Sequence, residues 1–220
     1  MVKLPNGKFN EGLEFKKSHK ISSLNFLYLV IKHYFRNMIQ PGPGILLIAD
    51  PFLKDPNFIR TVVLLCDHKN EGSFGFVLNK QIEQTLDELL ENFEGFQLPV
   101  YYGGPVQTDT IHFIHQYPDL IPDAYKVDND IYWGGNFEAA AILIKSKSID
   151  LSKIKFFIGY SGWSDGQLTN ELDEKSWLTV GATKSLVFNT EPDKVWKGSL
   201  KHLGGDYEMM VNFPIDPQLN

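Results

Sequence analysis

A single cysteine, Cys66, and only two arginines, Arg36 and Arg60, occur in the 220 residues. One cysteine cannot close an internal disulfide, and the paired-cysteine framework of small secreted domains is missing, so a reducing compartment, the cytoplasm, is expected. No apolar run is long enough to span a bilayer. The best candidate, Ile21 to Ile31, is interrupted by Ser and Asn and stopped by Lys32, whereas a spanning helix needs about 20 apolar residues. No small-x-small cleavage site follows it, so a targeting peptide is not expected either and no membrane role is assigned. The chain also lacks internal repeats, low-complexity tracts and Pro/Ser linkers within its body. Neither G-x-G-x-x-G nor G-K-[ST] accompanies the glycine pairs at 103 and 134, which removes the familiar nucleotide-binding loops. No cofactor is implied.

Apolar residues form 43% of the chain and charged residues 22%, the balance of a chain with one real core. Charge is divided unevenly. Residues 1–40 hold seven Lys or Arg against two Glu, a net +5, while residues 41–220 hold 14 cations against 25 anions, a net -11. An acidic body repels phosphate backbones, so direct binding of duplex DNA by the body is not expected. The change in composition predicts an extension over residues 1–37, loosely attached to a domain over 38–220.

From Gly44 onwards turn residues recur regularly. ILLIA (45–49) reads as a buried strand, and Asp55 before Pro56 as the start of a one-turn helix. RTVVLLC (60–66) reads as a central strand joined through HKNEGS to a second strand, FGFVLNK. Thr85 and Glu88 stand at capping-box spacing and open a helix; Asn136 caps another over FEAAAILIK. PVYYGG, DTIHFIHQ, KIKFFIGYSGW and SWLTVGA supply further strands. Thr190 and Pro192 open a last helix, which Gly204 closes. The expected architecture is α+β: a single compact domain with a mixed, largely antiparallel sheet or partly closed barrel, flanked by helices.

Several residues invite a chemical reading. Cys66 and His68 are two apart, so on a regular strand they share a face with Val62 and Leu64. Their separation exceeds a hydrogen bond, and the plainer reading makes Cys66 a small core residue. GYSGW (159–163) resembles the G-x-S-x-G nucleophile elbow around Ser161 but has Trp163 in place of the second glycine. Ser164 and Gln167 form a capping box, and Asp165 complements the same helix terminus. His112 and His115 fall on opposite faces of their strand without further ligands at suitable spacing, so no metal site is expected. Lys145, Lys147, Lys153 and Lys155 are the nearest approach to a basic cluster. Arg60 is placed to pair with a carboxylate or to anchor a ligand. The glycine turns at 103–104 and 159–162 are expected to meet beside Trp163 and Arg60. The predicted ligand-binding residues are thus Arg60, Gly103, Gly104, Gly162 and Trp163.

Residues 44–80, the GGPV segment at 103–106 followed by Asp109, and GYSGWSDGQLTNEL at 159–172 together resemble, in order, three motifs of the YqgE/AlgH family. The similarity covers nearly all of residues 42–190. It departs at Asp165, where many members have Pro, and at Thr110, where Arg is frequent. The resemblance implies a compact α+β domain in a bacterial cytosolic protein; one branch of the family is named for regulation of exopolysaccharide-gene transcription. The resulting expectation is a non-catalytic regulatory or binding protein that acts indirectly on transcription, through an unknown protein or small-molecule partner. The alternative is a hydrolase or transferase using Cys66 with His68, or Ser161.

Overall fold

The computed structural model describes residues 39–213; the expected extension over residues 1–37 lies outside them. Among the described residues ten strands form a curled sheet: β1 (Ile45–Ala49), β2 (Val62–Lys69), β3 (Gly72–Val77), β4 (Gln81–Thr85), β5 (Pro99–Tyr102), β6 (Val106–His115), β7 (Tyr125–Asp128), β8 (Ile131–Trp133), β9 (Ile154–Ser164) and β10 (Trp177–Gly181). The main path runs β10-β1-β2-β3-β9-β6-β8-β7. Every pairing is antiparallel except that of β5 with β9. The mixed, largely antiparallel α+β domain read from the sequence is therefore what forms, with the sheet curled into a half-barrel.

The long strand β9 organises the curl. Its first half lies between β5 and β6, and its second half lies beside β3. Apolar residues alternate to two sides and feed separate clusters. Leu46, Ile48, Val62, Leu64 and Phe76 fill one face beneath the helix Pro192–Leu203 (α4), while Leu47, Val63, Leu65 and Val77 pack on the other against the helix Gln167–Asp173 (α3). Coverage on both faces explains why β2 reads as an unbroken apolar run rather than an alternation. A third cluster joins β5, β6 and β9 to the helix Phe137–Lys145 (α2), which Asn136 caps by accepting the Ala139 N–H at 2.9 Å.

Local signals located elements better than they set their ends. The Thr85 N–H donates to the Glu88 carboxylate at 2.8 Å, yet the helix so opened (α1, Leu86–Leu89) lasts one turn. At Asp55 the expected helix is a turn, in which the side chain accepts the Asn57 N–H. The β2–β3 turn is tighter than HKNEGS suggests, because β2 continues through Lys69. Gln167 does accept the Ser164 N–H, at 3.1 Å, but Gly166 is the N-cap of α3 and Ser164 remains in β9. Pro192 opens α4 with Glu191 as its cap; Thr190, expected there, donates instead to the Ser185 carbonyl. Lys155, one of the four lysines of the nearest basic grouping, is buried, at 6% exposed.

Candidate functional site

The two glycine turns meet, and they do so backbone to backbone. A Cβ at Gly103 would lie 2.3 Å from the Gly159 carbonyl oxygen, and one at Gly104 would lie 2.3 Å from backbone atoms of Tyr160 and Ser161. Ser161 is fully buried in this contact and donates its hydroxyl to the Gly103 carbonyl at 3.0 Å. It ties the two turns together and presents no free oxygen to a substrate.

Cys66 is buried, and its thiol points to the carbonyl of Leu64 at 3.7 Å. Burial, reinforced by the charge of Asp67, pushes its pKa far up, so the thiolate is suppressed. The shared face expected for Cys66 and His68 is overturned by a β-bulge. Pairing shifts between Leu65 and Asp67, so that Asp67 opposes Phe74 and His68 opposes Ser73. Directly opposed residues point to the same side of a sheet, which leaves Cys66 with the Phe74 side and sends His68 to the other. His68 Nδ1 lies 2.7 Å from the Ser73 hydroxyl there. The hydrolase alternative thus loses all three of its candidates. Native protein is expected to label at Cys66 with a thiol reagent far more slowly than unfolded protein, and Cys66→Ala to cost about 1–2 kcal/mol; rapid stoichiometric labelling of the native state at neutral pH would contradict this burial.

Around the joined turns lie two recesses. The larger, about 560 Å³, is lined by Phe74, His112, Trp133 and Tyr160 together with Asp67, Lys69 and Glu71. Phe74 stands between two near-perpendicular neighbours: Trp133 with centroids 4.7 Å apart at 64°, and Tyr160 at 6.0 Å and 80°. Tyr125 stacks on Trp133 at 5.2 Å and holds that ring's plane. His112 meets Tyr160 edge to face, and its Nε2 lies 3.0 Å from the hydroxyl of Thr110. Burial lowers the His112 pKa, which keeps the imidazole neutral at pH 7.

The smaller recess, about 340 Å³, includes Asp55, Phe58, Trp163, Glu171 and Trp177 in its wall. Here Glu171 accepts both indole N–H groups, from Trp163 at 2.8 Å and Trp177 at 2.7 Å, and its second oxygen accepts from Gln167 at 2.9 Å. Trp163 and Gly162 border both recesses. Gly103 and Gly104 stand behind the wall as packing points. Arg60 lies elsewhere: its guanidinium sits over Trp196 at 4.4 Å and donates to the Phe213 carbonyl, so an aromatic face and a carbonyl replace the carboxylate expected for it.

His112, Phe74, Trp133, Tyr160 and Glu171 were not legible as site residues. Their only sequence cue is aromatic residues beside glycines, in FGF, YWGG and GYSGW, together with Glu171 four positions after Gln167 on one helix. Among the described residues no group of three or more His, Cys, Asp or Glu could hold a metal ion, and no helix is long and apolar enough to cross a membrane.

Comparison with known proteins gives this arrangement a family. The UPF0301 protein of Chlorobium limicola is 42% identical over 178 residues, covering 81% of this chain and 95% of that protein. The one from Cytophaga hutchinsonii is 40% identical, covering 80% and 98%. Among solved structures, a protein of Corynebacterium diphtheriae shares the fold at a TM-score of 0.69 and 22% identity, covering 82% of this chain and 98% of that one. The solution structure of the AlgH protein from Pseudomonas aeruginosa aligns at a TM-score of 0.62 with 28% identity, covering 80% and 98%. The family described as AlgH-like matches residues 46–208, and with these relatives the match establishes that the chain belongs to that family.

Proposed function

We propose that the protein is a non-catalytic binding protein of the cytoplasm, which exerts a regulatory effect through what its aromatic recess holds rather than by reading DNA. The observation that carries this reading is the contrast between the recess and the reactive candidates. Open volume of small-ligand size lies against Phe74, Trp133 and Tyr160, while the Cys66 thiol and the Ser161 hydroxyl are buried away from solvent. A neutral, half-buried His112 serves as a wall and hydrogen-bonding group, and the Thr110 hydroxyl beside it already donates to the Gln107 carbonyl at 2.7 Å, so its proton is not directed at the imidazole.

The test is to equilibrate the full chain with a native bacterial lysate, re-isolate it and identify what it retains. A molecule enriched on the wild-type chain and lost from Tyr160→Ala is the expected result. Consumption of a lysate metabolite that depends on Cys66 or Ser161 would replace binding with catalysis. In duplex titrations at about 150 mM salt, the -11 body should give no sequence-selective complex, and residues 1–40 at most a weak, salt-sensitive one.

A further inference from the structure

The larger recess has a specific chemical character. Its lining combines aromatic rings steeply inclined to one another with two carboxylates. Phe74 forms the middle wall, with Trp133 and Tyr160 turned 64° and 80° from it. These rings meet edge to face and all three border the same open volume, so aromatic surface lines it, which suits a cation better than a neutral polar group. The lining carries the carboxylates of Asp67 and Glu71 against one ammonium, Lys69, which sits 2.5 Å from Asp67. That leaves a net charge of -1 beside the rings. Lys69 also borders the recess, where its ammonium is engaged by Asp67 and its side chain is 67% exposed. Among the described residues the cation–π contacts are made on Trp196, Phe93 and Tyr101 and none on Phe74, Trp133 or Tyr160.

We infer that this recess is a binding site for the alkylated ammonium group of a small organic cation, held by Phe74, Trp133 and Tyr160 and attracted by Asp67 and Glu71. The inference rests on the reading of the recess as a ligand site and names the ligand class. Alkylation matters because a bare ammonium would give up several hydrogen bonds to water on entry, whereas a methylated one has few to lose and fits an apolar wall. His112, also in the lining and neutral, adds no repulsion. A volume of about 560 Å³ leaves room for a substituent beyond the ammonium head.

The experiment titrates the full chain, by calorimetry or tryptophan fluorescence, with choline and with 3,3-dimethyl-1-butanol, its uncharged isostere. Choline should bind saturably and about tenfold more tightly than the isostere, a preference within the range of cation–π contacts at partly exposed sites taken over several rings. Trp133→Leu, which keeps an apolar wall, should lose most of that preference. Trp133→Phe should retain part of it, and its folding can be checked by the thermal transition. Asp67→Asn should weaken choline several-fold and flatten the salt dependence. A peptide carrying trimethyl-lysine serves as a separate arm; if it alone binds, the small-molecule assignment fails. Equal affinity for choline and the isostere, or no saturable choline binding, overturns the cation site. The broader binding reading is judged separately: it survives if Tyr160→Ala still abolishes capture of a non-cationic molecule from lysate, and falls if nothing is captured.

Discussion

Gly104→Ala is expected to abolish stable folding, or to lower stability by roughly 4 kcal/mol or more, because nothing near the new methyl group can move aside cheaply. Gly104 has φ +153°, and its Cβ would come within 2.3 Å of the Tyr160 carbonyl group and the Ser161 nitrogen. Those atoms belong to β9, which pairs with β3 on one side and with β5 and β6 on the other. Displacing that backbone therefore disturbs both halves of the sheet. The same contact holds the Ser161 hydroxyl against Gly103, so a shift would also orphan a buried hydroxyl. For a domain of this size the loss corresponds to a fall in melting temperature on the order of 10 °C. Gly181→Ala is the matched control, since its Cβ would meet nothing within 4 Å. Calorimetry of both variants decides the matter: a Gly104→Ala protein as stable as Gly181→Ala would mean the turns are not in rigid contact.

The second large effect is expected from Lys155, through pH. Its side chain lies on the same side of β9 as Phe157, where Nζ donates to the carbonyls of Leu78 at 3.0 Å and Val187 at 3.2 Å and sits 4.1 Å over the Tyr101 ring. These neutral partners do not offset the loss of water around a charge, and burial pulls the pKa from an ordinary 10.5 down to about 7. The group is a base whose folded pKa is depressed. Above pH 10.5 it is neutral in both states and carries no penalty. As pH falls towards 7 the unfolded chain takes up the proton and the folded protein does not, so stability declines across that window and levels off below it. The full span is worth about 4–5 kcal/mol, and each pH unit inside it about 1.4 kcal/mol. Wild-type protein should therefore gain about 2–3 kcal/mol between pH 7.5 and 9.5 relative to Lys155→Met, which has no charge to bury. Tyr101 does not confuse the measurement, because burial raises its pKa above the ordinary 10. Parallel denaturant titrations of the two proteins measure the difference. Identical pH profiles would show that Lys155 stays charged or reaches solvent in the folded state.

Both effects are built into β9, and the strand shows how far local reasoning reaches. KIKFFIGYSGW is legible as a strand from its aromatic and β-branched content alone. Its alternation even assigns Lys155, Phe157 and Ser161 to sides. What covers each side is a matter of other strands, far away in sequence, and that cover turns Lys155 from a solvated cation into a buried base and Ser161 into a strut. The bulge at Cys66 is similar: no residue in LLCDH announces it, because it arises from how β2 must bend to follow β3.

The sequence by itself determined the elements whose causes are local and the family that three ordered motifs resemble. The capped helix after Asn136, the Pro192 start and Gly204 stop of α4, the β2–β3 hairpin and the burial of Cys66 all follow from caps, turn residues and periodicity within a few positions. Tertiary structure alone decided the two recesses, the clamp of Trp163 and Trp177 on Glu171, the opposed faces of Cys66 and His68, and the place of Arg60 over Trp196. Caps and periods are set by neighbours along the chain, and a strand pattern says only that a face will be covered. Which aromatic ring meets which depends on pairing register and sheet curl, summed over strands that come together only when the chain closes.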